Sequence, residues 1–293
     1  MHSAGVCVII ESIMNPIAIY IFIFIFGAII GSFLNVIILR YNTGKSIVNG
    51  NSACLACGSK LRWYELIPIA SFFAQKGRCR GCKSKISRQY PLVELLTGLI
   101  FVIVWSHELW IGNYNTLRFP GSLFLVLGLV YFWTIFSVLI IIAVYDIRHQ
   151  IIPDKFVYLF IFLSAFAVFF DSSHMGLSGI WRSVFSISGL PIRLLSGIIF
   201  FSFFGLLWLA SHGRDMGLGD AKLALGIGLL LGFSKGLSAI LFSFWSGAFV
   251  GILLLILAKK RYNLKSKIAF GPFLAFGSIV AFWVGNIVII HII

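Results

Sequence analysis

Gly217-Leu218-Gly219-Asp220-Ala221-Lys222-Leu223 decides how this chain is read. A carboxylate, Asp220, stands where a short polar break opens into the apolar run from Leu223 to Phe233. An ionisable group that close to hydrocarbon costs about 3 kcal/mol or more, so it faces a protein interior or a wet cavity and has work to do there. The flanking glycines allow a tight turn and the close approach of a second segment. Another acid, Asp146, closes another long apolar run, and the two are expected to meet.

Composition agrees with a membrane setting. The chain is 60% hydrophobic and 11% charged, with 30 phenylalanines, which excludes an ordinary water-soluble domain. Apolar runs long enough for a bilayer recur at about 16–39, 91–111, 121–145, 155–170, 190–211, 220–234, 237–258 and 268–291. The fold class expected is therefore an all-α polytopic membrane protein with about eight transmembrane helices. The sixth span is short, and its boundary with the seventh is set at Ser234-Lys235-Gly236. Only residues 40–90 are left for a soluble piece. The expected division is 1–39 for the N-terminal segment and first helix, 40–90 for an insert, and 91–293 for the transmembrane body.

The formal net charge of +14 is unevenly placed. Arg40, Lys45, Lys60, Arg62, Lys76, Arg78, Arg80, Lys83, Lys85 and Arg88 crowd the first connection, and Lys259, Lys260, Arg261, Lys265 and Lys267 the last. Eight spans put these two connections on one side, opposite Arg118, Arg182, Arg193 and Lys235. The positive-inside rule makes the richer side cytosolic and both chain ends non-cytosolic. The cations then read as topology determinants in contact with membrane lipids, with no nucleic acid as partner. The run from Pro16 to Leu39 is too long for a signal-peptide core and reads as a retained helix. Gly27 and Gly31, four apart on it, form a face for close helix packing. Ser32 and Asn35 read either as cross-helix hydrogen bonders or as interfacial polar residues.

The insert carries Cys54-Leu55-Ala56-Cys57 and Cys79-Arg80-Gly81-Cys82, separated by 21 residues. Two such knuckles bring four thiolates to one point, the ligand set of a closed tetrahedral Zn2+ site. Two disulfides are the alternative, and a reducing cytosol argues against them. A closed site has no open coordination position, so its role is structural, in a piece with few large apolar groups of its own. Trp63 and Tyr64, between the knuckles, are expected to pack inward on the metal site, with the lining of a ligand cleft as the alternative reading. Glu94 is read either as a first-turn acid favoured by the helix dipole or as part of a cytosol-facing site. Cys7 is assigned no role.

Gly31-Ser32-Phe33-Leu34-Asn35, the paired knuckles, Trp63-Tyr64, Ile67-Pro68 and Tyr90-Pro91-Leu92-Val93-Glu94 together resemble the type IV prepilin peptidases. The likeness continues through Asp146, Pro153-Asp154, Gly217 to Leu223, and Phe270-Gly271-Pro272-Phe273-Leu274, so it spans nearly the whole chain in order. It implies an aspartic endopeptidase of the bacterial inner membrane, with Asp146 and Asp220 catalytic. Its substrates would be type IV prepilins or type II secretion pseudopilins that enter from the bilayer and lose a basic leader at the cytosolic face. Relatives with the four-cysteine insert commonly also methylate the new N-terminus with S-adenosylmethionine; the sequence shows no glycine-rich nucleotide motif for it. The chain departs from the pattern at Arg40-Tyr41-Asn42, where proline commonly stands at the third position, and in a longer 171–189 loop.

The residues argue the chemistry separately. Parity of the spans brings Asp146 and Asp220 to one membrane depth on different helices. Two carboxyls a few ångströms apart share one proton. One can then act as base on water while the other polarises the scissile carbonyl. An ion pair of Asp146 with Arg148, Lys155 or Lys222 is the structural alternative. Asp154 reads as a helix cap, and Asp215 as a partner of Arg214. Lys222 reads as a headgroup contact or as a neighbour tuning the site. His149, His212 and His291 read as interfacial. Two other function classes fit part of the pattern. A proton-coupled transporter also pairs intramembrane acids, and a presenilin-like intramembrane protease shares the Tyr145-Asp146 and Gly217-x-Gly219-Asp220 contexts.

Overall fold

A computed structural model describes residues 16–47, 50, 52–111, 121–166, 190–213, 216–257 and 268–284. The expected Arg214–Asp215 pair, Cys7, His291, the cations at 259–267 and the 171–189 loop lie outside them. Among the described residues the protein is helical, with two isolated antiparallel bridges in place of any strand. The elements are α1 Pro16–Arg40, a 3-10 turn Trp63–Glu65, α2 Ala70–Ala74, α3 Gln89–Ile111 and α4 Gly121–His149. They continue with α5 Asp154–Ala165, α6 Leu190–Ala210, α7 Leu218–Leu257 and α8 Gly271–Val284. The chain divides into two units, Met1–Trp133 and Thr134–Ile293, with the boundary inside α4.

Five helices, α1, α3, α4, α6 and α7, are long and apolar enough to cross a membrane, and α8 is a shorter apolar helix. α7 has 40 residues, about 60 Å at 1.5 Å per residue, twice the hydrocarbon thickness. It is not one rod. Gly232, at φ 74° and ψ −172°, breaks it. Glycine alone adopts that conformation readily. With α7 counted as two arms and the shorter α5 and α8 included, eight helical segments stand among the described residues, in keeping with the expected class. The break falls two residues before the expected Ser234-Lys235-Gly236, because φ rather than polarity ends the helix. Arg193 from α6 donates to the Leu230 and Leu229 carbonyls at 2.5 and 3.3 Å. It thereby satisfies acceptors that the break strips of their helical partners.

In the first unit α1 packs on α3. A Cβ on Gly27 would lie 2.9 Å from Gly98 Cα, and one on Gly31 2.8 Å from Glu94 Cα. The two glycines therefore form the close-packing face expected of them. Asn35 is buried and bonds the Tyr90 carbonyl and the Gln89 amide across the helices, which settles its reading as a cross-helix residue. Asn42 sits at φ 58°. Proline is locked near −65°, so the chain's departure from Arg-x-Pro has a backbone reason. In the second unit α7 is central, packed against α5, α6 and α8.

Candidate functional site: a buried acid pair and a four-cysteine cluster

Asp146 lies near the end of α4 and Asp220 is the third residue of α7, both in the second unit and both buried, at 4% and 7% exposure. Each is held by a helix N-terminus. Asp220 takes the Gly217 amide just outside its own helix, half of a capping box. Asp146 Oδ2 accepts the Gly271 amide of α8 at 3.0 Å. Orphan amides and the helix dipole favour an anionic partner at that end. Gly271 is required by space, because a Cβ there would stand 2.7 Å from the same Asp146 oxygen.

Ile152 draws the two acids' supports together. A Cβ on Gly219 would fall 2.8 Å from Ile152 Cβ, and one on Gly271 would fall 3.5 Å from Ile152 Cδ1. One side chain thus touches the turn beside Asp220 and the amide that holds Asp146. The two carboxyls are within electrostatic range of each other. Asp220 Oδ1 is buried and has no hydrogen-bond partner among the described residues. Such a group is costly in a folded protein, so its retention calls for a use that offsets the cost.

Lys222 forms no ion pair with Asp146. It pairs with Asp154 at 2.6 Å and lies 5.0 Å over the Tyr158 ring. Asp154 is not a cap: Pro153 occupies that position, without a side-chain bond, and Asp154 is the first-turn acid of α5. Neither the Gly271 amide nor Ile152 was legible as part of the site from residue type. The Gly-Pro start of α8 was the only signal.

The four cysteine sulfurs of the insert lie within 4.8 Å of one another, with Cys54 and Cys82 3.9 Å apart. A tetrahedron with metal–sulfur bonds of about 2.3 Å has sulfur–sulfur edges of about 3.8 Å. The donor set and its spacing therefore fit a single metal ion. The knuckles repeat each other: Ala53 bridges Lys60 as Arg78 bridges Lys85, and Gly58 and Lys83 both take positive φ. The Cys57 and Ala56 amides pull the Cys54 thiol down to about 6, and the Ser84 hydroxyl lowers Cys82, so both favour the thiolate that binds metal. Trp63, expected to pack inward, is instead 78% exposed.

The family model of the bacterial peptidase A24 N-terminal domain matches residues 25–108, and that of the type IV leader peptidase family matches residues 133–252. A prepilin leader peptidase/N-methyltransferase of Bacillus subtilis is 33% identical over 270 residues, 91% of this chain and 95% of that protein. The chain belongs to the type IV leader peptidase family. A Myxococcus xanthus protein of the same description is 35% identical over 239 residues, 80% of this chain and 63% of its own. One from Pseudomonas aeruginosa is 28% identical over 300 residues, 93% and 92% of the two chains. No solved structure matches. As a type IV leader peptidase the chain is a membrane-embedded peptidase. Asp146 and Asp220 fall in the segment matched by the leader peptidase model, and the cysteines in the segment matched by the N-terminal one.

Proposed function

We propose that the protein is an aspartic endopeptidase that removes the basic leader of prepilin or pseudopilin substrates, cutting after a glycine. Asp146 and Asp220 form its catalytic pair. The observation that carries this reading is a pair of buried carboxyls, from α4 and α7, whose supporting glycines Gly271 and Gly219 meet at Ile152, one carboxyl having an unpaired oxygen. The pair holds one proton. The ionised carboxylate takes a proton from water as its oxygen attacks the scissile carbonyl, and the protonated carboxyl polarises that carbonyl. The carbon–nitrogen bond then breaks and the amine leaves with a proton from the pair. The Gly271 amide holds Asp146 in place throughout, and the capping contact from Gly217 does the same for Asp220.

The substrate's apolar stem stays in the bilayer and enters laterally. The excess of cations in residues 40–90 supports a cytosolic side for them and for the acids, in the bacterial inner membrane. Cys54, Cys57, Cys79 and Cys82 would hold one structural Zn2+. The protein would also methylate the new N-terminus, for which S-adenosylmethionine supplies the methyl group; we assign no residue to it. Asp146→Asn or Asp220→Asn, co-expressed with a prepilin, is expected to insert normally and leave the leader uncut. Full cleavage by either variant, read by N-terminal sequencing, would refute the catalytic pair. An unmodified mature N-terminus by mass spectrometry would make the protein a peptidase alone.

A further inference from the structure

Between the knuckles of the insert the chain reaches back to a membrane helix. Leu66 and Pro68 line a cleft with Ile29, Phe33 and Val36 of α1. Ile29 and Val36 precede Arg40, the last residue of α1, by about 16 Å and about 6 Å of helix rise. The loop from Leu66 to Pro68 therefore reaches below the cationic end of a membrane helix, to the depth of its apolar residues.

Non-helical backbone at such a depth must have its amides satisfied from within the protein. Ile69 is the difficult point. It takes φ 60° and ψ −55°, with the Ala70 amide on the Pro68 carbonyl, a strained three-residue turn at a β-branched residue. Its amide donates to Glu94 Oε2 at 2.7 Å. Glu94 is buried on α3, so a membrane helix carries a carboxylate whose bond goes to the loop's half-buried amide. That use accounts for Glu94, which residue type alone left open.

The side chains around this turn point outward and are apolar. Trp63 is 78% exposed, Phe73 69%, Ile67 43% and Leu66 40%. The 3-10 turn with Trp63 packs on α2 with Phe73, so these residues share one small body. Around them Lys60, Arg62, Lys76, Arg78, Arg80, Lys83, Lys85 and Arg88 are all exposed, against a single carboxylate, Glu65, which receives the Arg62 amide. Exposed tryptophan and aliphatic groups within a cationic rim match an interface of acyl chains under anionic headgroups.

We propose that residues 63–73 form a wedge seated in the headgroup and upper acyl region of an anionic phospholipid bilayer, with the cations of the insert on the headgroups. The proposal is independent of the peptidase chemistry. The test uses the full, zinc-loaded chain in vesicles of phosphatidylglycerol and phosphatidylethanolamine. A photoreactive benzoylphenylalanine is placed at Ile67, at Phe73 and, as a knuckle control, at Lys83. Phospholipid adducts by mass spectrometry are expected at 67 and 73 and not at 83. No adduct at 67 and 73, or crosslinks there to a second copy of the chain, would overturn the proposal. Replacing phosphatidylglycerol by phosphatidylcholine is expected to lower adduct yield several-fold; an unchanged yield removes the electrostatic part. Native Trp63 gives a second readout that needs no label. The fluorescence lost in Trp63→Phe is expected to be the component quenched by shallow brominated lipid, and an unquenched component overturns the wedge.

Discussion

The backbone amide of Gly271 donates a hydrogen bond to Asp146 Oδ2 at 3.0 Å, across 125 residues of sequence. Gly271→Ala keeps the amide but puts a methyl group 2.7 Å from that oxygen. The carboxyl must move, since neither the backbone of α8 nor Ile152 behind it gives easily. Leader cleavage is expected to fall at least tenfold, about 1.4 kcal/mol of transition-state stabilisation. Initial rates on a purified prepilin, with membrane insertion checked by extraction, measure it.

The Arg193 bonds to the Leu229 and Leu230 carbonyls predict a stability effect at a distance from the acids. Charge-assisted bonds of this kind contribute about 1.5–3 kcal/mol. Arg193→Ala is expected to lower the detergent-solubilised protein's stability by that order. Arg193→Lys recovers part, because a single ammonium replaces the guanidinium fork. Thermal unfolding of the three proteins distinguishes these outcomes.

Glu94 makes a contrast between two variants informative. Glu94→Gln keeps an acceptor for the Ile69 amide, whereas Glu94→Leu leaves a half-buried, strained amide unpaired. The Leu variant is expected to lose about 1–3 kcal/mol and the Gln variant clearly less. Limited proteolysis between the knuckles reports the same order.

The Lys222–Asp154 pair is expected to matter little. Asp154 is 64% exposed, so its contribution is within about 1 kcal/mol after solvent screening. Asp154→Asn should leave cleavage within a factor of a few of the parent. A complete loss of cleavage in that variant would require a role for Lys222 in the reaction.

Metal removal predicts a local effect. Purified protein is expected to hold about one zinc, the content of one closed four-thiolate site. Chelation or Cys79→Ser should open residues 52–88 to protease while α4 to α8 keep their fold. The low Cys54 value sets the pH direction: a group with a depressed value contributes fully above its ordinary 9.0 and loses that contribution as pH falls through about 6. Zinc content measured against pH should drop on the acid side.

The long apolar runs, the break before Asp220 and the cysteine spacing were legible because each depends on residue type at fixed separation. Gly27 and Gly31 were legible for the same reason. The Gly232 break was misplaced by two residues, since a polar Ser-Lys-Gly looks more like a boundary than a lone glycine within leucines. Ile152 could not be read at all: its importance comes from what a leucine-rich sequence never marks, the point where two distant turns touch one methyl-bearing side chain. Asp154 was misread as a cap because its true partner, Lys222, lies 68 positions away.

Because α8 delivers the amide that steadies Asp146, the acid pair is completed only once α8 has been made and packed. A nascent chain that has inserted α1 through α7 already carries both acids but lacks the clamp on one of them. The acid pair is thereby assembled in two stages, carboxyls first and clamp afterwards.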